Sequence, residues 1–418
     1  MLLAGKKILI AVTGSIAIYK IPDLIRLFIK EGAKVRVVMS QSAKRFINPL
    51  TFEAISQNEV LHQDSESWAN DNNHIDIGKW ADIYVIAPAT ANTINKLSNG
   101  IADNLLTQIA LAYTKSILIA PAANTNMYLN NTTKASLKML KLLNFEEIEP
   151  QKKLLACGDE GIGAMAEVSD IFHKTVQTLL KDEFWINRRV VVTGGGTIEK
   201  IDDVRYISNF SSGKMAAALC KALYYKGADV CLLATKKIKD IPCDLYVIDV
   251  DDSKELEEYL VDAIRVAKKG VLTKATLMDE SVPELVLKKP YLFMTAAVSD
   301  YVPKFPQKGK LKKETLGDSW SLELVKNRDI LSSIDKEGIF SVGFKAESGE
   351  KEALENAKKM LEKKSLDAVC LNDINKNPFG SDKNEITLLT SKREIKLPKA
   401  DKLSVSLQLL ENLKQIGD

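Results

Sequence analysis

The chain begins the same kind of unit twice, and that repetition limits its possible folds more than any other feature. Residues 7–14, KILIAVTG, and 189–194, RVVVTG, are both aliphatic, largely β-branched runs that end in Thr-Gly. A continuous apolar run closed by a turn signal reads as an interior strand of a parallel sheet, buried on both faces. Each is followed by a helical stretch that stops at a glycine and gives way to another strand: IKEGAKVRVVMS around Gly32 and YYKGADVCLLAT around Gly227. Glycine just past the last turn supplies the left-handed residue that ends a helix. Two β-α-β openings this alike predict an α/β protein of two doubly wound, mainly parallel, Rossmann-like domains. At 418 residues the chain is long enough for both. The seam is expected in the charged, strand-poor stretch KDEFWINR at 181–188, giving domains 1–185 and 186–418.

The two openings differ in one respect. Gly14 and Gly32 are 18 residues apart, whereas Gly194 and Gly227 are 33 apart. The second copy therefore carries 15 extra residues between strand and helix, roughly TIEKIDDVRYISNFS. Loops that long inside a compact β-α unit are usually functional. This one ends in Asn209-Phe210-Ser211-Ser212-Gly213-Lys214, small polar groups ahead of a helix N-terminus, a natural place for an anion. Neither familiar nucleotide pattern fits it. The dinucleotide fingerprint finds Gly194 and Gly196 but meets Glu199 where the third glycine belongs, and the P-loop pattern meets Ser208 and Met215 at two of its required positions.

In the first domain, polar residues gather where strands end, the edge at which ligands of such sheets bind. Thr13-Gly14-Ser15 suits one phosphate held by backbone N–H groups and a hydroxyl. Ser40 and Ser42 follow the second strand, Thr90-Ala91-Asn92-Thr93 the third, and Asn124 and Asn126 the fourth. No acidic residue stands ready to grip a ribose, so a mononucleotide such as FMN fits better than NAD. His74, one of three histidines, is expected at a loop or strand start, and Cys157 in a glycine-punctuated loop, ACGDEGIGAM. The other four cysteines are expected in apolar helix or strand settings, as small buried hydrophobes. Five cysteines without a C-x-x-C pair fit a reducing compartment and argue against a disulfide framework or a zinc site.

Charge excludes other classes of partner. With 58 Lys and Arg against 55 Asp and Glu, a net +3 makes no field suited to nucleic acid or a membrane surface. No window approaches the ~20 apolar residues of a membrane span. The start, MLLAGKKILIAVTG, has no secretory pattern, so a cytoplasmic protein with small-molecule partners is expected.

The motifs HIDIGKWADIYVIAPATANTINKLSNGIADNLLT, PAANTNMY and ACGDEGIGAM resemble the flavin-dependent cysteine decarboxylases. With the second domain added, nearly the whole chain resembles the bifunctional phosphopantothenoylcysteine decarboxylase/phosphopantothenate–cysteine ligases of coenzyme A biosynthesis. The resemblance implies FMN bound at Gly14, Ser15, Ile16, Ser40, Ser42 and Thr90 to Thr93, including Ala91 and Asn92. It implies Cys157 as proton donor, His74 as a participant in oxidation and decarboxylation, and Asn124 as the ligand of the substrate carboxylate. In the second domain, AAVSDY and KGKLKKE would belong to a CTP site with Ala296, Asp300 and Lys310. The match extends to Arg328, Asp329, Ile330, Leu331, Phe344 and Lys364, while Asn209 would act in forming an acyl-cytidylate of 4'-phosphopantothenate, which L-cysteine then attacks. Magnesium would accompany CTP. The resemblance further implies a homo-oligomer, a dodecamer built from trimers of the first domain and dimers of the second. From spacing alone, Lys308, Lys310 and Lys312 would share one face of an extended segment. The chain departs from the family pattern at Ala123, Ala164, Arg328 and Met360, where Met, Arg, Pro and Lys are usual. Two other readings are an NAD(P)-linked oxidoreductase, which the failed glycine spacing disfavours, and a non-catalytic flavin-binding regulatory protein, against which His74, Asn124 and Cys157 together weigh.

Overall fold

The computed structural model describes residues 1–417 apart from Asp71, Lys236, Lys237, 274–281 and Phe379, and leaves out the side chains of Lys313, Thr315 and Glu350. Among the described residues, contacts gather into two compact units, 1–180 with 282–284, and 181–273 with 285–417.

In the first unit, β1 (Lys7–Val12), β2 (Lys34–Met39), β3 (Ile83–Ala89), β4 (Ile117–Pro121) and β5 (Phe145–Glu147) form one parallel sheet in the order β2-β1-β3-β4-β5. Every residue of β3 and β4, and all of β1 after Lys7, is buried, as parallel strands covered on both faces must be. The helix Ile21–Lys30 presents Ile21, Leu24, Ile25 and Phe28 to the core, the 3.6-residue spacing of one apolar face. It stops at Gly32, φ +90°, as expected. The chain steps from β1 outward to β2, then returns past β1 to β3. The carboxyl ends of β1 and β3 therefore flank the point where strand order reverses, the crevice of an open sheet. A hairpin follows, β6 (Gln151–Leu154) with β7 (Glu160–Ala164), and then the helix Val168–Leu180.

The second unit contains β8 (Arg189–Gly194), β9 (Glu199–Lys200), β10 (Tyr206–Ile207), β11 (Asp229–Ala234), β12 (Tyr246–Asp249), β13 (Val271–Leu272) and β14 (Leu285–Val286). It continues with β15 (Tyr291–Met294), β16 (Tyr301–Pro303), β17 (Leu324–Lys326), β18 (Phe340–Glu347), β19 (Ala368–Asp373), β20 (Lys383–Leu389) and β21 (Glu394–Asp401). Eight of these form a sheet in the order β12-β11-β8-β15-β18-β19-β20-β21, parallel from β12 to β19 and antiparallel thereafter. One apolar cluster lies on each face: Leu219, Leu223, Leu409 and Leu413 on one, Leu256, Leu260, Ala357 and Leu361 on the other. Trp185, from the expected seam, is fully buried here, its ring 5.0 Å from that of Tyr291. Strand order reverses between β8 and β15, so the crevice of this sheet opens at Gly194–Gly196 and Thr295–Ala297.

Candidate functional sites

Around the first crevice, the strand ends are sewn together by hydroxyl groups. Thr13, 1% exposed, donates its Oγ1 proton to the Pro88 carbonyl at 2.6 Å and accepts the Thr90 N–H at 3.0 Å, which joins the ends of β1 and β3. Ser15 caps the short 3-10 helix Ile16–Lys20 by accepting from Ala17 N–H. Thr90 caps the helix Ala91–Ser98 by accepting from Thr93 N–H. Ser40 Oγ accepts from Ala43 N–H, and Ser40 N–H bonds the Val12 carbonyl. Gly14 faces Ser42 so closely that a Cβ there would lie 2.6 Å from the Ser42 Cβ. Three of the expected strand ends thus meet in one cradle, rich in N–H and hydroxyl groups at two helix starts. That is the donor set a single phosphate needs.

Asn124 follows β4, its side chain accepting from Asn126 N–H at 2.9 Å to cap the helix Thr125–Leu129. Its Nδ2 donates to Cys157 Sγ at 3.2 Å, and the thiol in turn points to Asp159 Oδ2 at 3.4 Å. The β6–β7 hairpin reaches this turn because it carries glycines: a Cβ on Gly161 would overlap the Thr125 hydroxyl and one on Gly163 the Ala123 carbonyl. Ala123, one of the departures from the family pattern, is held through its backbone, its N–H donating to the Gly163 carbonyl at 3.0 Å.

His74 lies in neither the expected loop nor a strand start. It opens the helix His74–Trp80, which Asn73 caps by accepting from Ile75 and Asp76 N–H. Its ring contacts are to Glu66 and Trp68. Among the described residues no hydrogen bond, ion pair or ring contact joins His74 to Asn124 or Cys157. Of the other cysteines, Cys220 and Cys370 are buried as expected, and burial pushes both thiols well up. Partial burial raises Cys231 to about 11. Cys243 differs from the expectation: it is exposed, just after Pro242 and ahead of β12.

At the second crevice lies a cavity of about 1170 Å³. Its lining includes Asn209, Ala296, Asp300, Arg328, Asp329, Ile330, Leu331, Phe344 and Lys364, brought from five separate stretches of sequence. Two of the three glycines at the end of β8 serve packing. A Cβ on Gly194 would lie 2.5 Å from that of Ala216, and one on Gly196 would lie 2.6 Å from the Asn209 carbonyl oxygen. Gly196 therefore lets the long insertion return across the strand end and deliver Asn209, whose Nδ2 donates to the Val298 carbonyl at 2.9 Å. Asp329 caps the helix Ile330–Ser333 and pairs with Lys364 at 2.9 Å. Burial opposes its ionisation, but Lys364 and Ser332 outweigh that and hold the carboxyl below its usual range. Arg328 turns its guanidinium to Glu257 at 3.2 Å. Ser299 Oγ, on a residue 2% exposed that lines the cavity, has no hydrogen-bond partner among the described residues.

Lys310 is not part of this lining. The expected extended face of Lys308, Lys310 and Lys312 is replaced by an exposed loop that turns at Gly309, φ +78°. The physical reason is its attachment to the insertion. Gly309 N–H donates to Asp203, Leu311 N–H to Asp202, and Gln307 N–H to the Ile201 carbonyl. Asp202, 2% exposed, also accepts from Val204 and Arg205 N–H and from the Arg205 guanidinium. Burial acts against its charge, yet these donors hold its carboxyl below the usual range. Sequence reasoning missed most of the cavity's cations: Lys326, Lys345, Lys359, Lys363 and Lys402 join Lys364 in the lining. Lys359 and Lys363 flank Met360, whose side chain packs partly into the core, so the chain keeps lysines on this helix beside its departure.

Comparison with known proteins covers the full length. Residues 2–180 match the family described as Flavoprotein, and residues 185–277 and 266–416 match the family described as DNA/pantothenate metabolism flavoprotein C-terminal domain. A coenzyme A biosynthesis bifunctional protein CoaBC from Bacillus subtilis (strain 168) is 37% identical over 436 residues, covering 100% of both chains. Its counterpart from Vibrio vulnificus (strain CMCP6) is 35% identical over 421 residues, covering 99% of this chain and 98% of its own. A solved structure of a PPC decarboxylase mutant complexed with pantothenoylaminoethenethiol is 38% identical and covers 41% of this chain and 96% of that one, with a TM-score of 0.37.

Proposed function

The chain belongs to the CoaBC family of bifunctional coenzyme A biosynthesis proteins, and we propose that each of its two activities, decarboxylase and ligase, resides at one of the two crevices. The first domain decarboxylates phosphopantothenoylcysteine to 4'-phosphopantetheine. The second joins L-cysteine to 4'-phosphopantothenate at the expense of CTP. The observation that carries this reading is the pair of strand-order reversals in one chain, one lined by hydroxyl and amide groups, the other by lysines.

In the first domain the cradle of Gly14, Ser15, Ser40, Ser42 and Thr90 to Thr93 would hold the FMN phosphate and its neighbouring groups. When bound, FMN supplies reversible two-electron chemistry at the substrate thiol, which gives the departing carboxylate the electron sink that a simple cysteine lacks. Asn124, fixed as a helix cap and bonded to Cys157, is suited to orient that carboxylate beside the thiol. Cys157 delivers the proton to the carbon that lost CO2, and His74 accepts a proton from the substrate thiol.

In the second domain the lysines neutralise a triphosphate, whose charge needs fixed cations. Magnesium in such sites is held mostly by phosphate oxygens and water, with one or two carboxylates; Asp300 is in the lining, beside Asp329, which is paired with Lys364. The unpartnered Ser299 hydroxyl fits a polar ligand there. Asn209 stands at the crevice wall, where the phosphopantothenate carboxylate would meet the α-phosphate to form the acyl-cytidylate. Lys310 would act only by movement of its loop. The same reading includes a cytoplasmic homo-oligomer, which sedimentation of the purified protein tests. Among the described residues no helix is long and apolar enough to cross a membrane.

Purified protein mixed with 4'-phosphopantothenate, L-cysteine, CTP and Mg2+ is expected to yield 4'-phosphopantetheine and CMP by mass spectrometry. Accumulation of phosphopantothenoylcysteine would defeat the first-domain assignment. CDP in place of CMP would defeat the acyl-cytidylate.

A further inference from the structure

The ring of His74 is held from several sides. Its Nδ1 lies 2.8 Å from Glu66 Oε1, and its backbone N–H points to the same oxygen at 3.4 Å. Both side chains are largely withdrawn from water, 26% and 18% exposed. Trp68 packs edge-to-face against the imidazole, with ring centroids 5.6 Å apart. A carboxylate oxygen accepts, so in a neutral ring this contact places the proton on Nδ1 and leaves the lone pair on Nε2.

The segment that carries Glu66 is tied to the first crevice at three points. Leu61 pairs with Val38 of β2. Gln63 Oε1 accepts the Leu105 N–H at 2.7 Å, at the start of the helix Leu105–Ala112. Asp64 pairs at 3.4 Å with Lys44, two residues beyond Ser42. Glu66 thus sits beside the carboxyl end of β2, on a different segment from the helix that His74 opens. Two independently anchored pieces of chain set the orientation of one ring.

We infer that Glu66 is a positioning residue that holds His74 in the Nδ1–H tautomer, so that Nε2 receives the thiol proton of the substrate. The inference rests on the participation of His74 proposed above. In this transfer the S–H bond breaks and an Nε2–H bond forms, leaving a thiolate and an imidazolium whose charge faces the Glu66 carboxylate. A carboxylate that merely staples the loop would leave tautomer and turnover untouched once the fold is intact.

The test uses the full chain with Glu66→Gln, Glu66→Asp, His74→Asn and the double variant Glu66→Gln/His74→Asn. With only three histidines, ring 15N spectra of histidine-labelled protein resolve each tautomer, and His74→Asn assigns the signal of interest. The wild type should show Nδ1–H, Glu66→Gln should gain Nε2–H, and Glu66→Asp should retain Nδ1–H. By analogy with carboxylates that orient metal-bound histidines, kcat for supplied phosphopantothenoylcysteine should fall about 10- to 100-fold in Glu66→Gln. KM, FMN content and the CTP-dependent ligation rate should hold, which separates positioning from misfolding. Because Glu66 acts through the ring, its loss should cost nothing further in the His74→Asn background. An unchanged tautomer in Glu66→Gln, additive losses in the double variant, or equal losses in Glu66→Asp and Glu66→Gln would each overturn the inference. Full kcat in His74→Asn would overturn the reading of His74 itself, and this inference with it.

Discussion

The two crevices share a frame and differ in what lines it. Both form where a first strand ending in Thr-Gly meets a later parallel neighbour, and both use short side chains to bring those strand ends together. In the first unit Thr13 bridges to Pro88 and Thr90. In the second, Thr193 Oγ1 accepts the Ala296 N–H at 3.1 Å in a similar way. From there they diverge. The first is lined by uncharged donors at helix starts, enough for one phosphate. The second recruits lysines from β17, β18 and the helix Glu350–Lys363. It also folds in an insertion braced by a buried carboxylate. The fold supplies the edge, and the charge of the ligand dictates what is placed along it.

Selective damage to one crevice should leave the other working, and the largest effect is expected at Cys157. Cys157→Ser should lower 4'-phosphopantetheine formation about 10²- to 10⁴-fold, the range for losing a general acid, with ligation unchanged in the same tube. Equal loss of both activities would break the separation. Next comes Lys364→Gln. Removing a charge-assisted bond of about 1.5–3 kcal/mol should reduce ligation kcat/KM for CTP roughly 10- to 100-fold, while decarboxylation of supplied phosphopantothenoylcysteine holds.

A reciprocal pair of glycine substitutions sharpens the contrast further. Gly14→Ala drives a Cβ into Ser42, and Gly196→Ala drives one into the Asn209 carbonyl, each at a local cost of about 1–3 kcal/mol. Flavin absorbance of the purified protein should drop only in the first, and ligation only in the second. Asp202→Asn should give the smallest effect, a several-fold loss of ligation at neutral pH. Because the folded-state carboxyl lies below its ordinary value, its stabilisation of the insertion is complete above about pH 4. It is lost as pH falls through the depressed folded value. Proteolysis within 197–213 should therefore increase on acidification in the wild type and already be elevated in Asp202→Asn. An acid-insensitive wild-type loop would remove Asp202 as its brace.

How far the chain can be read without coordinates depends on how local each signal is. Gly32 and Gly227 announced helix ends because a left-handed residue is a property of one position, and both have positive φ. Ser15, Ser40, Thr90 and Asn124 stood out because each follows its own strand. Glu66 carried no such signal: eight residues from His74 and outside any periodic pattern, it becomes meaningful only when two anchored segments meet. Lys326, Lys345 and Lys359 read singly as solvated charges, and only strand order makes them neighbours. The lysine loop at 308–312 misled for the same reason, since alternation predicted a strand while its bonds to Asp202 and Asp203 turn it at Gly309.

What the amino-acid order alone specified was the pair of parallel-sheet units, the ends of their strands and the polar residues waiting there. Those features follow from backbone conformation and the burial of neighbouring side chains, both short-range. The folded chain added the meeting of β1 with β3 and of β8 with β15, the Asn124–Cys157 contact, the Glu66–His74 pair and the lysine-lined cavity. All but the Glu66–His74 pair, which closes over eight residues, join segments distant in sequence. No local propensity encodes such a distance: it is set when the sheets close and their helices pack against them.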